Sequence, residues 1–193
     1  MNSSNSITVV SGYQRSGTSL MMQMLAAGGV PVLVDESNKA DEHNPRGYFE
    51  YECAGKLGDT DESTDWIAEA QGKAVKVIAY RLRFLPAGYD YRVIFMRRKI
   101  AEVLTSWGKM GLTRTGVTLS EREQILSFKM EYAVYEAQLM RQTSMRALFV
   151  HYNELLEDPP GQIGRILDFL GATLDREAMA EAIDPLLHRN RIK

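Results

Sequence analysis

The sequence predicts an α/β domain with a central, mostly parallel sheet flanked by helices on both faces. Two observations carry that prediction. Apolar, β-branched runs alternate with helical stretches along the chain, the pattern of parallel strands joined by helical crossovers. The first apolar run, I-T-V-V at Ile7 to Val10, also passes directly into a glycine-bracketed turn that opens a helix, G-Y-Q-R-S-G-T-S from Gly12 to Ser19. The chain has 193 residues, enough for one domain with its own core, and no repeat, linker or low-complexity segment divides it. A single domain over residues 1–193 is expected.

The elements follow in order. Ile7 to Ser11 is a buried strand. Thr18 to Ala27 is a helix stopped by Gly28 and Gly29. P-V-L-V after Val30 is a candidate second short strand, and Asp35 to Arg46 is a polar loop with Asn44, Pro45 and Gly47 as turn residues. Ala74 to Tyr80 alternates as a strand, and Arg92 to Met96 is another. Ile100 to Lys109 is a helix ending before Gly111, and Leu112 to Thr118 is a loop. Ser120 with Glu123 forms a capping-box pattern at the head of a long helix from Glu121 to about Met145. Ala147 to His151 is a further strand, Pro160 to Leu170 a helix ended by Gly171, and Asp175 to Ile183 a last short helix. In such sheets a ligand lies at the carboxyl ends of the strands, where Gly12, Arg97, Arg98 and Tyr152 fall.

Composition excludes several classes of function. Hydrophobic residues make up 45% and charged residues 25%, as in ordinary globular proteins. A net charge of -2 argues against bulk electrostatic binding to nucleic acid or an anionic membrane, so neither is expected as a partner. The single cysteine, Cys53, allows no intrachain disulfide and no cysteine-based zinc site. The polar start M-N-S-S-N-S lacks the features of a signal peptide, and no apolar run reaches the roughly 18 residues that span a bilayer. A cytoplasmic location is expected.

The Gly12–Ser19 turn has the spacing of a nucleotide phosphate loop, G-x-x-x-x-G-K-[ST], but Thr18 stands in the lysine position. A strand, a glycine turn and a helix start still aim backbone N–H groups and the helix dipole at one point, which suits phosphate or sulfate oxygens. Arg15 restores a cation elsewhere in the loop and can grip an anion through two parallel hydrogen bonds. The acid that would help hold magnesium is hard to place. Val93 to Met96 runs into Arg97 and Arg98, which leaves Asp35 as the alternative. A second anion site lies at Arg98, with Ser106 eight residues later in the following helix. Two such sites imply a ligand with two separated anionic groups.

Here the chain resembles a known family. V-S-G-Y-Q-R-S-G-T-S-L-M-M-Q-M-L is similar to the 5′-phosphosulfate loop of sulfotransferases, and Y-R-V-I-F-M-R-R-K-I-A-E-V-L-T-S-W to their 3′-phosphate strand and helix. Loops of that family often read P-[KR]-[SG]-G-T-[ST], and the version with arginine is similar to tyrosylprotein and many bacterial members. L-F-V-H-Y-N-E-L-L-E-D-P, from Leu148 to Pro159, and G-R-I-L-D-F-L-G match further stretches, so the resemblance runs from Ile7 to about Gly171. It implies a three-layer P-loop NTPase-like fold and the co-substrate 3′-phosphoadenosine 5′-phosphosulfate (PAPS), with no metal required. Gly12 opens the loop; Arg15, Ser16, Gly17, Thr18 and Ser19 would hold the 5′ end. Arg98 and Ser106 would hold the 3′-phosphate, and Tyr152 matches a tyrosine near the adenine in some members. The family's later basic segment has no clear counterpart; H-R-N-R at His188 to Arg191 reads as a basic solvated tail.

Sulfuryl transfer to a hydroxyl or amine needs positioning, charge neutralisation and a base for the acceptor proton. Glu50 ranks first as that base, because similar N-P-x-G-Y-F-E segments occur in bacterial relatives. Glu36 ranks second, lying 21 residues after Arg15, close to the offset of the catalytic glutamate in the tyrosylprotein group. His43 ranks third. Lys76 sits inside the apolar stretch A-V-K-V-I, where an unpaired ammonium is costly, and many sulfotransferases carry a lysine on a comparable strand. Arg15, the loop amides and Lys76 are the candidates for stabilising charge on the transferring group. A small molecule or peptide is the expected acceptor; Trp66, Tyr48, Phe49 and Trp107 are candidates to line its pocket, and also candidates for core. The alternatives are an unusual P-loop kinase or NTPase using Asp35, and a non-catalytic nucleotide-binding relative.

Overall fold

The computed structural model describes residues 6–35, 47–60, 63–109 and 120–184. Four strands form one sheet: β1 (Ile7–Gly12), β2 (Ala74–Lys76), β3 (Tyr91–Arg97) and β4 (Met145–His151). Their order is β2-β1-β3-β4, and every pairing is parallel. The helices are α1 (Thr18–Ala27), α2 (Glu52–Lys56), α3 (Trp66–Glu69), α4 (Ile100–Lys109), α5 (Glu121–Arg141), α6 (Tyr152–Glu157), α7 (Pro159–Leu170) and α8 (Arg176–Glu181), with a 3-10 helix at Ala79–Phe84. The expected α/β class, with a parallel sheet flanked by helices, is the observed one.

The period-2 alternation of the strands builds two cores, one on each face. Val9, Val75, Val93 and Phe95 point to the face packed by Trp66, Val103, Phe128 and Leu139. Val10, Ile94, Met96 and Val150 point to the other, which Met21, Met22 and Leu25 of α1 cover with Ile163, Ile166 and Leu167 of α7. The α1 methionines are therefore core.

Sheet order explains where a ligand would lie. From β1 the chain crosses to β2 on one side, then returns to place β3 on the other side of β1. The order reverses between β1 and β3, and a crevice opens at their carboxyl ends. Gly12 pairs with Met96 on the last rung, so the loop after β1 and the Arg97–Arg98 pair after β3 emerge side by side.

Three predicted elements differ most from the structure; elsewhere the ends shift by one or two residues. P-V-L-V is a single bridge, Val32 beside Ala74, rather than a strand. Pro31 has no N–H to donate, and the Asp35 N–H bonds the Glu50 carbonyl at 3.3 Å instead of extending a ladder. The expected strand to Tyr80 stops at Lys76. Its last rung is Val77 N–H to the Val10 carbonyl at 3.0 Å, after which the 3-10 helix turns the chain away. The long helix ends at Arg141, four residues early, because β4 begins at Met145 to pair with Tyr91. The capping box at Ser120 is present, with the Ser120 N–H donating to Glu123 Oε2 at 2.8 Å. Among the described residues no helix is long and apolar enough to cross a membrane.

Phe128 joins α5 to the crevice. It is fully buried, with Tyr13 of the loop at 5.1 Å between ring centroids and Trp107 of α4 at 5.2 Å. Phe128→Ala should lower stability by about 3–5 kcal/mol, the range for emptying a phenylalanine site. Urea unfolding monitored by circular dichroism measures the change.

Candidate functional site

The loop after β1 is held from three sides. The Tyr13 ring enters the aromatic cluster of α5, 4.5 Å from Tyr132, and its hydroxyl donates to Glu131 Oε2 at 2.9 Å. Burial, reinforced by Glu131, pushes that phenol above its ordinary pKa, so it remains a donor. Trp107 of α4 donates its indole N–H to the Gln14 carbonyl at 3.2 Å. Ser16, fully buried, sends both its hydroxyl and its backbone N–H to the Tyr13 carbonyl, at 2.7 and 3.1 Å. The loop is a fixed cradle, and Ser16 shapes it from within.

Three residues of the turn, Gly12, Arg15 and Gly17, have positive φ. Gly17, at φ 103, caps α1; a methyl there would lie 2.5 Å from a Tyr152 ring carbon. Arg15 adopts φ 69 without being glycine, a conformation that costs free energy and concentrates at functional sites. The first amides of α1, from Thr18 onward, have no acceptor within the helix, so the helix start is a ready anion site.

Arg98 follows β3 and is fastened by three contacts. Its Nε donates to Glu102 Oε2 at 2.8 Å, its Nη1 donates to the Arg15 carbonyl at 3.2 Å, and its guanidinium lies 4.4 Å from the Tyr152 ring centroid. Glu102 is wholly buried and also accepts from Asn153 Nδ2 at 3.1 Å, which links α4 to α6. Ser106, one turn further along α4 and buried, accepts a hydrogen bond from Arg15 Nε at 2.9 Å. The two anion motifs of the sequence are therefore one hydrogen-bonded unit. Tyr152, 6% exposed, fills the space between Gly17 and Arg98. Burial raises its pKa and the nearby Arg98 charge opposes that rise.

A second group assembles at the α1 start. Lys76, at the end of β2 and 6% exposed, pairs with Glu50 Oε1 at 2.9 Å. It also donates to the Tyr48 carbonyl at 2.6 Å and to Ser19 Oγ at 3.4 Å, while the Ser19 hydroxyl donates to the same Tyr48 carbonyl at 3.1 Å. Between Tyr48 and Glu50, Phe49 takes φ 54 and packs into the α1 core. That turn brings the Glu50 carboxylate back onto Lys76. Burial lowers the Lys76 pKa from 10.5; Glu50 opposes the shift, and Arg15 reinforces it. A lysine delivered from β2 thus stands beside the loop whose own lysine position holds Thr18.

A sequence model described as the sulfotransferase family matches residues 49–176. The chain belongs to the sulfotransferase family. The matched span holds Glu50, Lys76, Arg98, Ser106 and Tyr152; the loop at Gly12 lies before it. Mouse sulfotransferase 1A1 is 24% identical over 200 residues, covering 96% of this chain. The chain spans 65% of the length of that curated relative. Among solved structures, mouse SULT7A1 complexed with PAP aligns with TM-score 0.57 at 14% identity, covering 94% of this chain and 63% of that one. Sulfotransferase STF1 from Mycobacterium tuberculosis H37Rv aligns with TM-score 0.57 at 16% identity, covering 97% of this chain and 74% of that one. These likenesses establish the sulfotransferase fold.

The structure brings together Gly12, Arg15, Ser16, Gly17, Thr18, Ser19, Glu50, Lys76, Arg98, Ser106 and Tyr152 around one crevice. Glu36, His43 and His188 to Arg191 lie outside the described residues. Asp35, the alternative magnesium acid, accepts the Glu52 N–H at 2.5 Å at the head of α2. Trp66 belongs to the core, its ring 5.5 Å from Tyr51. Sequence reasoning missed Glu102 and Asn153. For Glu102 a signal existed: a carboxylate four residues after Arg98, on the helix face that carries Val103 and Ser106 inward. Asn153 offered none, since its role depends on where α6 starts. Among the described residues no group of three or more His, Cys, Asp or Glu side chains is placed to hold a metal ion.

Removing Glu102 tests the buried pair. Glu102→Ala leaves the Arg98 guanidinium without its carboxylate and should cost about 3–5 kcal/mol in urea unfolding, the usual penalty for half a buried ion pair. Lys76 makes a separate prediction about pH. Its folded-state pKa is depressed, so between that value and 10.5 the unfolded chain binds more protons than the folded one. Stability should therefore rise through this window relative to Lys76→Met, and the gain should vanish as pH falls below the folded pKa. Paired urea titrations of the two proteins from pH 7 to 10.5 give the difference.

Proposed function

We propose that this chain transfers a sulfuryl group from PAPS to a hydroxyl or amine of a small-molecule or peptide acceptor. One observation carries the reading: the hydrogen bonds from Arg15 to Ser106 and from Arg98 to the Arg15 carbonyl join two anion-binding motifs into one site. Such a site suits a nucleotide anionic at both its 3′ and 5′ ends. Family membership and the fold shared with sulfotransferases support it.

When bound, PAPS supplies a sulfuryl group on a phosphate leaving group. In the transfer an acceptor oxygen or nitrogen forms a bond to sulfur, the bridging bond from sulfur to the phosphate oxygen breaks, and 3′-phosphoadenosine 5′-phosphate (PAP) departs. The α1 amides and dipole hold negative charge at the loop, and the Lys76 ammonium stands beside it, bonded to Ser19 Oγ. In this reading Glu50 takes the acceptor proton. Its side chain is 43% exposed, so an acceptor can reach it, while Lys76 keeps it at the loop. Lys76 and Glu50 thus form a cation and a base anchored to one another beside Ser19. The kinase reading has less support: Asp35 Oδ2 accepts the Glu52 N–H at the head of α2, and the family match is to sulfotransferases.

Thermal shift with ATP, ADP, PAP and PAPS, each with and without magnesium, tests the proposal. PAP and PAPS should stabilise the protein without magnesium, by about 2.7 kcal/mol at a hundred times Kd. ATP and ADP should do markedly less, and Arg98→Ala should remove the difference. Magnesium-dependent stabilisation by ATP would overturn the reading in favour of a kinase. Glu50→Gln should slow turnover of an acceptor by about 100- to 10,000-fold while PAP affinity stays unchanged.

A further inference from the structure

We propose that the outward face of α5 is an interface between two copies of this chain, which lie antiparallel along it about a two-fold axis.

The inward face of α5 is committed, with Phe128, Tyr132 and Leu139 buried in the core. A helix with one face in the core ordinarily turns polar residues to water on the other. Here Leu126, Met130, Val134 and Met140 are each more than half exposed. Ala133 and Ala137, between them, are exposed as well. At about 100° per residue these six side chains share one stripe about 120° wide, directly opposite Phe128. A contiguous apolar surface of this kind marks an interaction site, whereas single exposed apolar residues do not.

Charge on the two flanks of the stripe decides what covers it. Glu123 and Arg141 lie along one flank, Lys129 and Glu136 along the other. An antiparallel copy keeps each flank beside its own counterpart, in reverse order. One register, centred on residues 132 and 133, then sets Glu123 against Arg141 of the second copy and Lys129 against Glu136 of the second copy. Symmetry makes each pair twice. The same register sets Met130 against Val134 of the second copy at the middle of the seam. Glu123 spends Oε2 on Ser120 and keeps Oε1 for the arginine. Glu136 meets Arg97 through Oε1 and offers Oε2 to the lysine. A parallel pairing would instead put Lys129 and Arg141 beside their own copies, where like charges repel. The face is thus complementary to itself in one direction only, as an isologous dimer requires.

Sedimentation equilibrium of the full chain gives the first test. The wild type should approach twice the chain mass as concentration rises through the micromolar range. Met130→Glu combined with Val134→Glu gathers four carboxylates at the centre of the seam. It should weaken self-association by about 100-fold or more, with the helical circular dichroism signal unchanged. Should that variant fail to fold, the same criteria apply to Met130→Ser with Val134→Ser. Orientation is read by cross-linking with a short bis-maleimide, on a Cys53→Ser background. In the antiparallel register Leu126 lies within about 3 Å, along the axis, of Met140 in the second copy, while the two copies of Leu126 are about 18 Å apart. Chains carrying Leu126→Cys should therefore link to chains carrying Met140→Cys and not to themselves. A wild type that stays monomeric throughout, bare or bound to a different protein, overturns the proposal, as does a dimer that the double substitution leaves intact. Self-linking of Leu126→Cys without linking to Met140→Cys overturns the antiparallel arrangement.

Discussion

The buried pair of Arg98 and Glu102 is the constraint on which the site depends. Both side chains are almost entirely removed from water, 8% and 0% exposed, so neither charge is tolerable alone. The pair fixes the guanidinium of Arg98, and that guanidinium fixes the loop through the Arg15 carbonyl. Glu102 also accepts from Asn153, so the start of α6 and the neighbouring Tyr152 are set by the same carboxylate. Tyr152 then stands over Gly17, where no larger residue fits. A chain of single contacts thus runs from α4 to β3, across to the loop and on to α6.

The sheet explains why these pieces meet. Reversal of strand order between β1 and β3 opens the crevice, and their shared last rung sets the loop beside the arginines. The α5 aromatic cluster supplies rigidity from behind: Tyr13 is anchored there while Gln14 and Arg15 remain at the crevice. A loop held this way has little conformational freedom to lose when a ligand binds, which favours affinity.

On the other side of the loop, the α1 start, Lys76 and Glu50 form a compact charged group. Two strained or buried features mark it: Phe49 at positive φ, and an ammonium beneath the surface whose pKa burial lowers. Strained backbone and perturbed buried charges each concentrate at functional sites. The Phe49 turn lets the Tyr48 carbonyl and the Glu50 carboxylate both meet Lys76, which satisfies the buried charge and keeps the carboxylate exposed.

The sequence by itself determined the α/β class, the strand–loop–helix at Gly12, the Arg98–Ser106 motif and the boundaries of α1 and α4. Each is written in local periodicity and in glycine or capping residues, which act over a few neighbours. It placed Glu50 and Lys76 as candidates separately, but not as partners, because nothing local joins residues 26 positions apart on different elements. The end of β2 at Lys76 and the reduction of P-V-L-V to one bridge were likewise illegible, since apolar alternation reports burial and not whether a neighbouring strand is there to pair. Only the tertiary structure decided that Arg15 reaches Ser106, that Glu102 and Asn153 support Arg98, and that Asp35 serves α2. Those contacts join distant segments, and they exist only once the parallel sheet has brought the carboxyl ends of its strands together.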